Sequence, residues 1–182
     1  MIPHNFTITT ERLLLKQVAE EDVPFVFEAT RYKGFNDGMM WDPPASEEEI
    51  LPHVVSSRKA WVSGEGFSFS AWSILNPGKL VARITIRKTE EEKVYDIGYW
   101  THPIHQGKGY ITEAAQAILA FGFNTLDASE IGARFATWNV ASGRVLEKIG
   151  MTRVGYIEQG FKKQGKWVPE YKMSITRAAW SG

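Results

Sequence analysis

The sequence predicts an α+β fold, with a mainly antiparallel central sheet flanked by helices, from three features. Residues 67–74 and 80–87 are strand-like runs separated by Asn76-Pro77-Gly78, and residues 152–158 and 167–175 repeat the pattern around Gln164-Gly165-Lys166. Paired runs joined by turn residues read as antiparallel hairpins. Between Tyr95 and Trp100 the side chains alternate, Tyr95, Ile97 and Tyr99 facing one way and Asp96, Gly98 and Trp100 the other, which is the period of a strand. Immediately downstream, Ile111, Ala114, Ala115, Ile118, Leu119 and Gly122 recur at helical spacing. That stripe is apolar and contains residues small enough to let a helix lie close against a sheet.

The remaining elements follow in chain order. A strand over 6–15 leads to Glu20, Glu21 and Asp22, acidic residues that suit the positive start of a helix, with Val23, Val26 and Phe27 at helical spacing behind them. Residues 33–44 break the regularity. Their glycines and prolines oppose regular structure, yet Phe35, Met39, Met40 and Trp41 are too apolar for a solvated loop and make either a satellite core or the wall of a groove. Ser46 before Glu47, Glu48 and Glu49 opens a second helix. A last helix runs from an Asn cap at Asn139 to a stop at Gly150. No repeat, linker or low-complexity tract divides the 182 residues, which read as a single domain over 1–182.

Composition narrows the function. Twenty-one basic and 21 acidic residues cancel, so nothing in the overall charge favours nucleic acid or an anionic membrane. The absence of cysteine excludes disulfides, thiolate metal sites and a cysteine nucleophile. His102 and His105 stand at no recognisable ligand spacing with a carboxylate, so no metal is expected. With neither a secretory leader nor a bilayer-length apolar run in view, a cytoplasmic protein is expected.

The segment joining the alternating strand to the apolar helix carries the chemistry. In Gln106-Gly107-Lys108-Gly109-Tyr110-Ile111, two glycines remove side chains where the unpaired N–H groups of a helix start point outward, a geometry suited to phosphate oxygens. A Walker loop fails here, because Gly109 follows Lys108 where Ser or Thr belongs; a dinucleotide fingerprint fails at Thr112. The glycines alone fit a tight turn before a helix equally well.

A second segment alters that balance. Asn139-Val140-Ala141-Ser142-Gly143-Arg144-Val145-Leu146-Glu147-Lys148-Ile149-Gly150-Met151, taken with the glycine turn, resembles the paired motifs of the GNAT superfamily of acetyl-CoA-dependent N-acetyltransferases. The first motif is matched by Gln106 and Gly109 and departs from the family at Ile111; the second is matched by Asn139, Ser142, Glu147, Lys148, Gly150 and Met151. Residues 10–15 and Asp96-Ile97-Gly98-Tyr99-Trp100 followed by His102-Pro103 resemble the Rim-type branch, which includes enzymes acetylating the N-termini of ribosomal proteins.

The resemblance implies two central strands that splay apart, with acetyl-CoA as co-substrate between them. Backbone groups of Trp100, Thr101 and His102 would pair with its pantetheine arm. Gln106, Gly107, Lys108, Gly109, Tyr110 and Ile111 would hold its pyrophosphate, helped by Lys108 and Arg144, and Asn139 and Ser142 would contact the arm. Aminolysis of the thioester needs a neutral amine and a proton for the departing thiolate. By the same resemblance Asp96 is the candidate base; it is otherwise a surface aspartate, and it lies roughly 13 Å along the strand from Trp100, so a water relay is needed. Ser142 is the candidate acid, or a hydroxyl that only contacts coenzyme. Phe35, Met39 and Trp41 would wall the acceptor site. The implied partner is an amine, foremost a protein N-terminus, handled by a monomer or homodimer. A polyamine, amino sugar or antibiotic acceptor, or a non-catalytic acyl-CoA binder, are the alternatives.

Overall fold

The computed structural model describes residues 1–181. Eight strands, β1 (Thr7–Thr9), β2 (Leu13–Gln17), β3 (Gly66–Ser73), β4 (Leu80–Lys88), β5 (Val94–Thr101), β6 (Glu130–Ala136), β7 (Thr152–Lys163) and β8 (Lys166–Thr176), form one sheet. Its spatial order is β1-β2-β3-β4-β5-β6-β8-β7, and every pairing is antiparallel except β5 with β6. The helices are α1 (Val23–Thr30), α2 (Leu51–Ser63), α3 (Tyr110–Asn124) and α4 (Val140–Lys148).

One expectation is corrected at the start of the chain. The strand anticipated over 6–15 is a hairpin, because the Thr10 N–H donates to the Leu13 carbonyl at 2.9 Å and the Leu13 N–H returns to Thr10 Oγ1 at 3.0 Å. Those bonds close a turn that alternation alone does not reveal. The hairpin of β7 and β8 is also longer than the sequence suggested, reaching Lys163 and Lys166.

The sheet has two unlike faces. On one, α3 and α4 pack over Phe69, Ile84, Ile86, Ile97, Ile131 and Phe135 in the main core. Gly122 sets the spacing, since a Cβ there would stand 2.6 Å from Ile131 Cδ1 and 2.8 Å from Ile86 Cδ1. On the other face a small cluster of Val23, Val26, Ile50 and Val54 meets Phe27 and Trp100. There the fully buried Asp22 accepts from Ser70 Oγ at 2.5 Å and from Arg83 Nη2 at 3.2 Å, pinning the start of α1 to β3 and β4. Burial pushes the Arg83 guanidinium below its ordinary pKa, and Asp22 opposes that shift.

Between β5 and β6 the sheet opens. Pairing runs from Val94↔Glu130 to Ile97↔Ala133 and stops, although β5 continues to Thr101 and β6 to Ala136. The splay lies at the end of β5 that feeds the glycine turn.

Candidate active site

The turn into α3 is held open and braced. Gly107 and Gly109 have φ of +73° and +78°, and a Cβ at Gly107 would meet nothing within 4 Å. Both positions lie in the left-handed region that side chains resist. Among the described residues, the N–H groups of Gly107, Lys108, Gly109, Tyr110 and Ile111 find no main-chain acceptor, as expected for an exposed helix start. The result is a concave row of donors fit for a diphosphate.

Arg12 fixes this row in space. Its Nη1 donates to the Lys108 carbonyl at 2.9 Å, its Nε bonds Glu113 Oε2 at 2.6 Å, and its guanidinium lies 4.8 Å from the Tyr110 ring centroid. Thr10 Oγ1 donates to the same Glu113 at 2.6 Å. These bonds hold the Glu113 carboxyl below its ordinary pKa against the burial that would raise it. Lys108 Nζ turns back onto the Ile104 carbonyl at 3.0 Å, and Arg144 is exposed. Ile111, where the motif departs from the family, packs against the main core.

The splay also decides which main-chain groups are free. His102 N–H donates to Val81 O at 2.9 Å, whereas Ser129 N–H donates to Lys93 O at 2.8 Å. Backbone direction alternates along a strand, so even-numbered residues of β5 point their N–H and C=O toward β4 and odd-numbered ones toward β6. The expectation of main-chain pairing by Trp100 and His102 is therefore corrected. Their backbone is committed to β4, and the groups facing the gap belong to Tyr99 and Thr101. Gln106 Nε2 donates to the Thr101 carbonyl at 3.4 Å from the gap side, in keeping with that phase.

Two hydroxyls meet across the opening. Tyr99 Oη lies 3.0 Å from Ser142 Oγ and donates to the Ser142 carbonyl at 3.0 Å, joining β5 to α4. Burial pushes the Tyr99 phenol up to about 12, with the Ser142 bond pulling the other way. Asn139 caps α4 by accepting the Ser142 N–H on Oδ1 at 3.2 Å, which leaves its amide nitrogen for another partner. Neither motif points to Tyr99. A half-buried tyrosine needs a partner for its hydroxyl, but alternation alone does not say which.

The opposite face carries the acceptor candidates. Phe35 is buried edge-on to Trp100 with centroids 5.4 Å apart, and Trp41 stands 6.4 Å from Phe35. Met39 is half-buried, and its carbonyl accepts from Lys163 Nζ at 2.8 Å; the same ammonium donates to Asn36 O. Lys163 thus ties the β7–β8 hairpin to the aromatic loop. Asp96 leans over Gly132, with Arg134 Nη2 at 3.7 Å. His102 and His105 form an aromatic cluster with Tyr32 and Tyr110, and burial holds both imidazoles below their ordinary pKa. No group of three potential metal ligands occurs among the described residues.

A mainly antiparallel sheet that opens at its parallel β5–β6 pair, beside a donor-lined helix start, has the form of an acyl-CoA transferase. Residues 12–152 match the acetyltransferase (GNAT) domain family, and the chain belongs to it. It is 32% identical to the uncharacterized N-acetyltransferase YnaD of Bacillus subtilis (strain 168) across 96% of this chain and 99% of that one. An acetyltransferase (GNAT family) from Bacillus anthracis superposes with a TM-score of 0.83 at 31% identity, covering 94% of this chain and 98% of the other. RimL, a ribosomal alpha-N-protein acetyltransferase in complex with coenzyme A, superposes with a TM-score of 0.83 at 20% identity over 98% of each chain. A spermidine N-acetyltransferase from Vibrio cholerae bound to CoA and spermine does so at 0.79 and 17%, covering 93% and 98%. These last two likenesses show the fold alone. The chain is thus an acyltransferase of the GNAT type.

Proposed function

We propose that the protein transfers the acetyl group of acetyl-CoA to a primary amine by direct attack in a ternary complex, and that the acceptor is a protein N-terminus. The carrying observation is the coincidence of the broken β5–β6 pairing with the open donor row at Gly107 and Gly109. The diphosphate rests on the N–H groups of Gly107 to Ile111. The Gln106 N–H expected to join them is committed to the Pro103 carbonyl at 3.3 Å. Lys108, on leaving the Ile104 carbonyl, and Arg144 swing toward the diphosphate. The pantetheine arm lies in the gap against the main chain of Tyr99 and Thr101 and the amide of Asn139. An N–H facing the gap then meets the oxyanion of the tetrahedral intermediate.

Ser142 and Tyr99 move the proton to sulfur as a relay. A phenol at about 12 holds its proton more tightly than a thiol of ordinary pKa about 8.5. Transfer to the thiolate therefore needs the proton to be replaced at once, and the nitrogen of the intermediate supplies it. Direct donation by an isolated Tyr99 is disfavoured by that difference.

An extended acceptor is supported by the exposed aromatic ledge. Trp41 and Met40 adjoin the loop whose Gly38 lies against Trp138, itself exposed, so apolar surface continues outward from Trp100. A polyamine is the second reading, favoured by Asp37 and Asp42 within the same loop. Thiol release over a panel of peptides with free N-termini, spermidine and an amino sugar tests the choice. Peptide turnover with a kcat/KM at least tenfold above that for spermidine is expected; turnover confined to small amines overturns the assignment. The reading places the enzyme in the cytoplasm, where acetyl-CoA and nascent N-termini meet. No helix among the described residues is long and apolar enough to cross a membrane.

A further inference from the structure

The acceptor face contains a carboxylate that neither motif points to. Glu170 on β8 is only 5% exposed as a residue, yet its carboxylate oxygens are not among the sealed-off unpartnered polar atoms of the described residues, so they keep a narrow access to solvent. A carboxylate that has lost part of its hydration is held in a raised-energy charged form, so its place at this site calls for an account. Its surroundings are built around it. Opposite Glu170, β7 bulges between Ile157 and Phe161, and a Cβ on Gly160 would overlap the Glu170 carboxylate. Bulges re-aim side chains beside active sites.

Register places this group at the splay. Glu170 pairs with Ala136 at the end of β6, and Ala136 is as far past Ala133 as Trp100 is past Ile97, the last paired position of β5. Glu170 is therefore level with Trp100. Tyr171, Met173 and Ile175 pack into the core on the α3 face, so by alternation Glu170 faces the other way, toward the side of Asp96, Gly98 and Trp100. Asp96 pairs with Gly132, four residues back along β6 from Ala136, which is roughly 13 Å at strand rise. Gly98, between Asp96 and Trp100, leaves open space, with nothing within 4 Å of a Cβ built there.

We propose that Glu170, rather than Asp96, receives the acceptor ammonium and takes its proton. The inference rests on the acetyl-transfer reading above and assigns the base for it. One N–H bond of the ammonium breaks, the proton passes to a Glu170 oxygen, and the electron pair left on nitrogen forms the bond to the acetyl carbonyl carbon. The C–S bond then breaks with its pair on sulfur, which is protonated through Ser142 and Tyr99 while nitrogen gives up its second proton. Glu170 releases its proton to solvent, so one proton is liberated per turnover.

The charges around Glu170 suit this task. Burial raises its pKa above the ordinary carboxylate value, Arg134 on β6 opposes that shift, and Asp96 on β5 adds to it. On β7 the partner residue Ile157 carries no charge, Glu158 follows it in the exposed bulge, and Lys172 shares the face of β8. A base of raised proton affinity strips an ammonium more readily than an ordinary carboxylate does.

The test compares Glu170→Gln, Glu170→Asp and Asp96→Asn in the full chain, with the best amine of the acceptor panel and with hydroxylamine, which is uncharged at neutral pH. For Glu170→Gln, kcat/KM with the alkyl amine should fall at least 100-fold and the acid limb of its pH profile should vanish. Transfer to hydroxylamine and the acetyl-CoA Kd should stay within threefold. Glu170→Asp should displace the limb and lose about tenfold, while Asp96→Asn keeps the limb. Equal loss with both nucleophiles, a limb that survives in Glu170→Gln, or a limb removed by Asp96→Asn overturns the assignment. Should Glu170→Gln fail to fold, an unchanged profile in Glu170→Asp overturns it equally. Failure of wild-type protein to bind acetyl-CoA would instead strike the underlying acetyl-transfer reading.

Discussion

The two faces of the splay are built by different means. On the face of α3 and α4, the candidate coenzyme site consists of main-chain N–H groups and hydroxyls whose positions follow from local rules: two glycines of positive φ, a helix start and an Asn cap. On the opposite face, the candidate acceptor site is assembled from Phe35 and Trp41 of one loop, Asp96 and Trp100 of β5, and Glu170 of β8, three segments far apart in the chain. A ligand common to many relatives can be met by a local motif. An acceptor that differs among them is met by long-range packing, which can drift without disturbing the motif.

The contrast is broken most severely by Asp22→Asn, which leaves Arg83 buried without its counter-charge and loosens α1 over the acceptor face. A loss of about 3–5 kcal/mol in urea-unfolding stability is expected. Next, Gly109→Trp should obstruct the donor row and weaken acetyl-CoA binding about 100-fold, ~2.7 kcal/mol, while the thermal melt remains cooperative. Titration calorimetry checks it, and unchanged affinity in a folded variant removes the diphosphate from that turn.

Smaller effects sharpen the comparison. Tyr99→Phe should lower kcat about tenfold, ~1.4 kcal/mol, with coenzyme Kd preserved, because Ser142 keeps its hydroxyl; single-turnover kinetics separates the two quantities. The raised Tyr99 pKa also has a stability consequence. A phenol ionising near 10 when unfolded and at about 12 when folded contributes stability that is intact below pH 10 and declines between 10 and about 12. Tyr99→Phe should flatten that segment of a stability-versus-pH curve. Smallest of all, Lys163→Ala should raise the acceptor KM about threefold, ~0.6 kcal/mol, by releasing the carbonyls of Asn36 and Met39, with acetyl-CoA affinity unchanged.

Much of the fold was legible because its signals are periodic. The alternation from Tyr95 to Trp100, the stripe from Ile111 to Gly122 and the turn at Asn76-Pro77-Gly78 each sit where the structure has β5, α3 and the β3–β4 hairpin. The turn between β1 and β2 was not, since it depends on Thr10 and Leu13 bonding each other and on Glu113, about a hundred residues away. The same limit governed the site. Gly107, Gly109 and Asn139 declare themselves locally, whereas Tyr99 gains meaning from Ser142 and Glu170 from the bulge on β7 and from Gly160. Main-chain direction along β5 required the phase set by His102 and Val81, which side-chain alternation does not supply.

The Arg12 fork reaches from the start of β2 to the Lys108 carbonyl and Glu113, so the cradle is suspended in part from the sheet margin farthest along the chain from it. Anything that peels away that margin, whether a deletion, a fused partner or a local melt, would slacken the grip on coenzyme before the core gave any sign of damage. If the proposed coenzyme site is the true one, binding strength for the donor doubles as a gauge of whether the molecule's opening hairpin is seated.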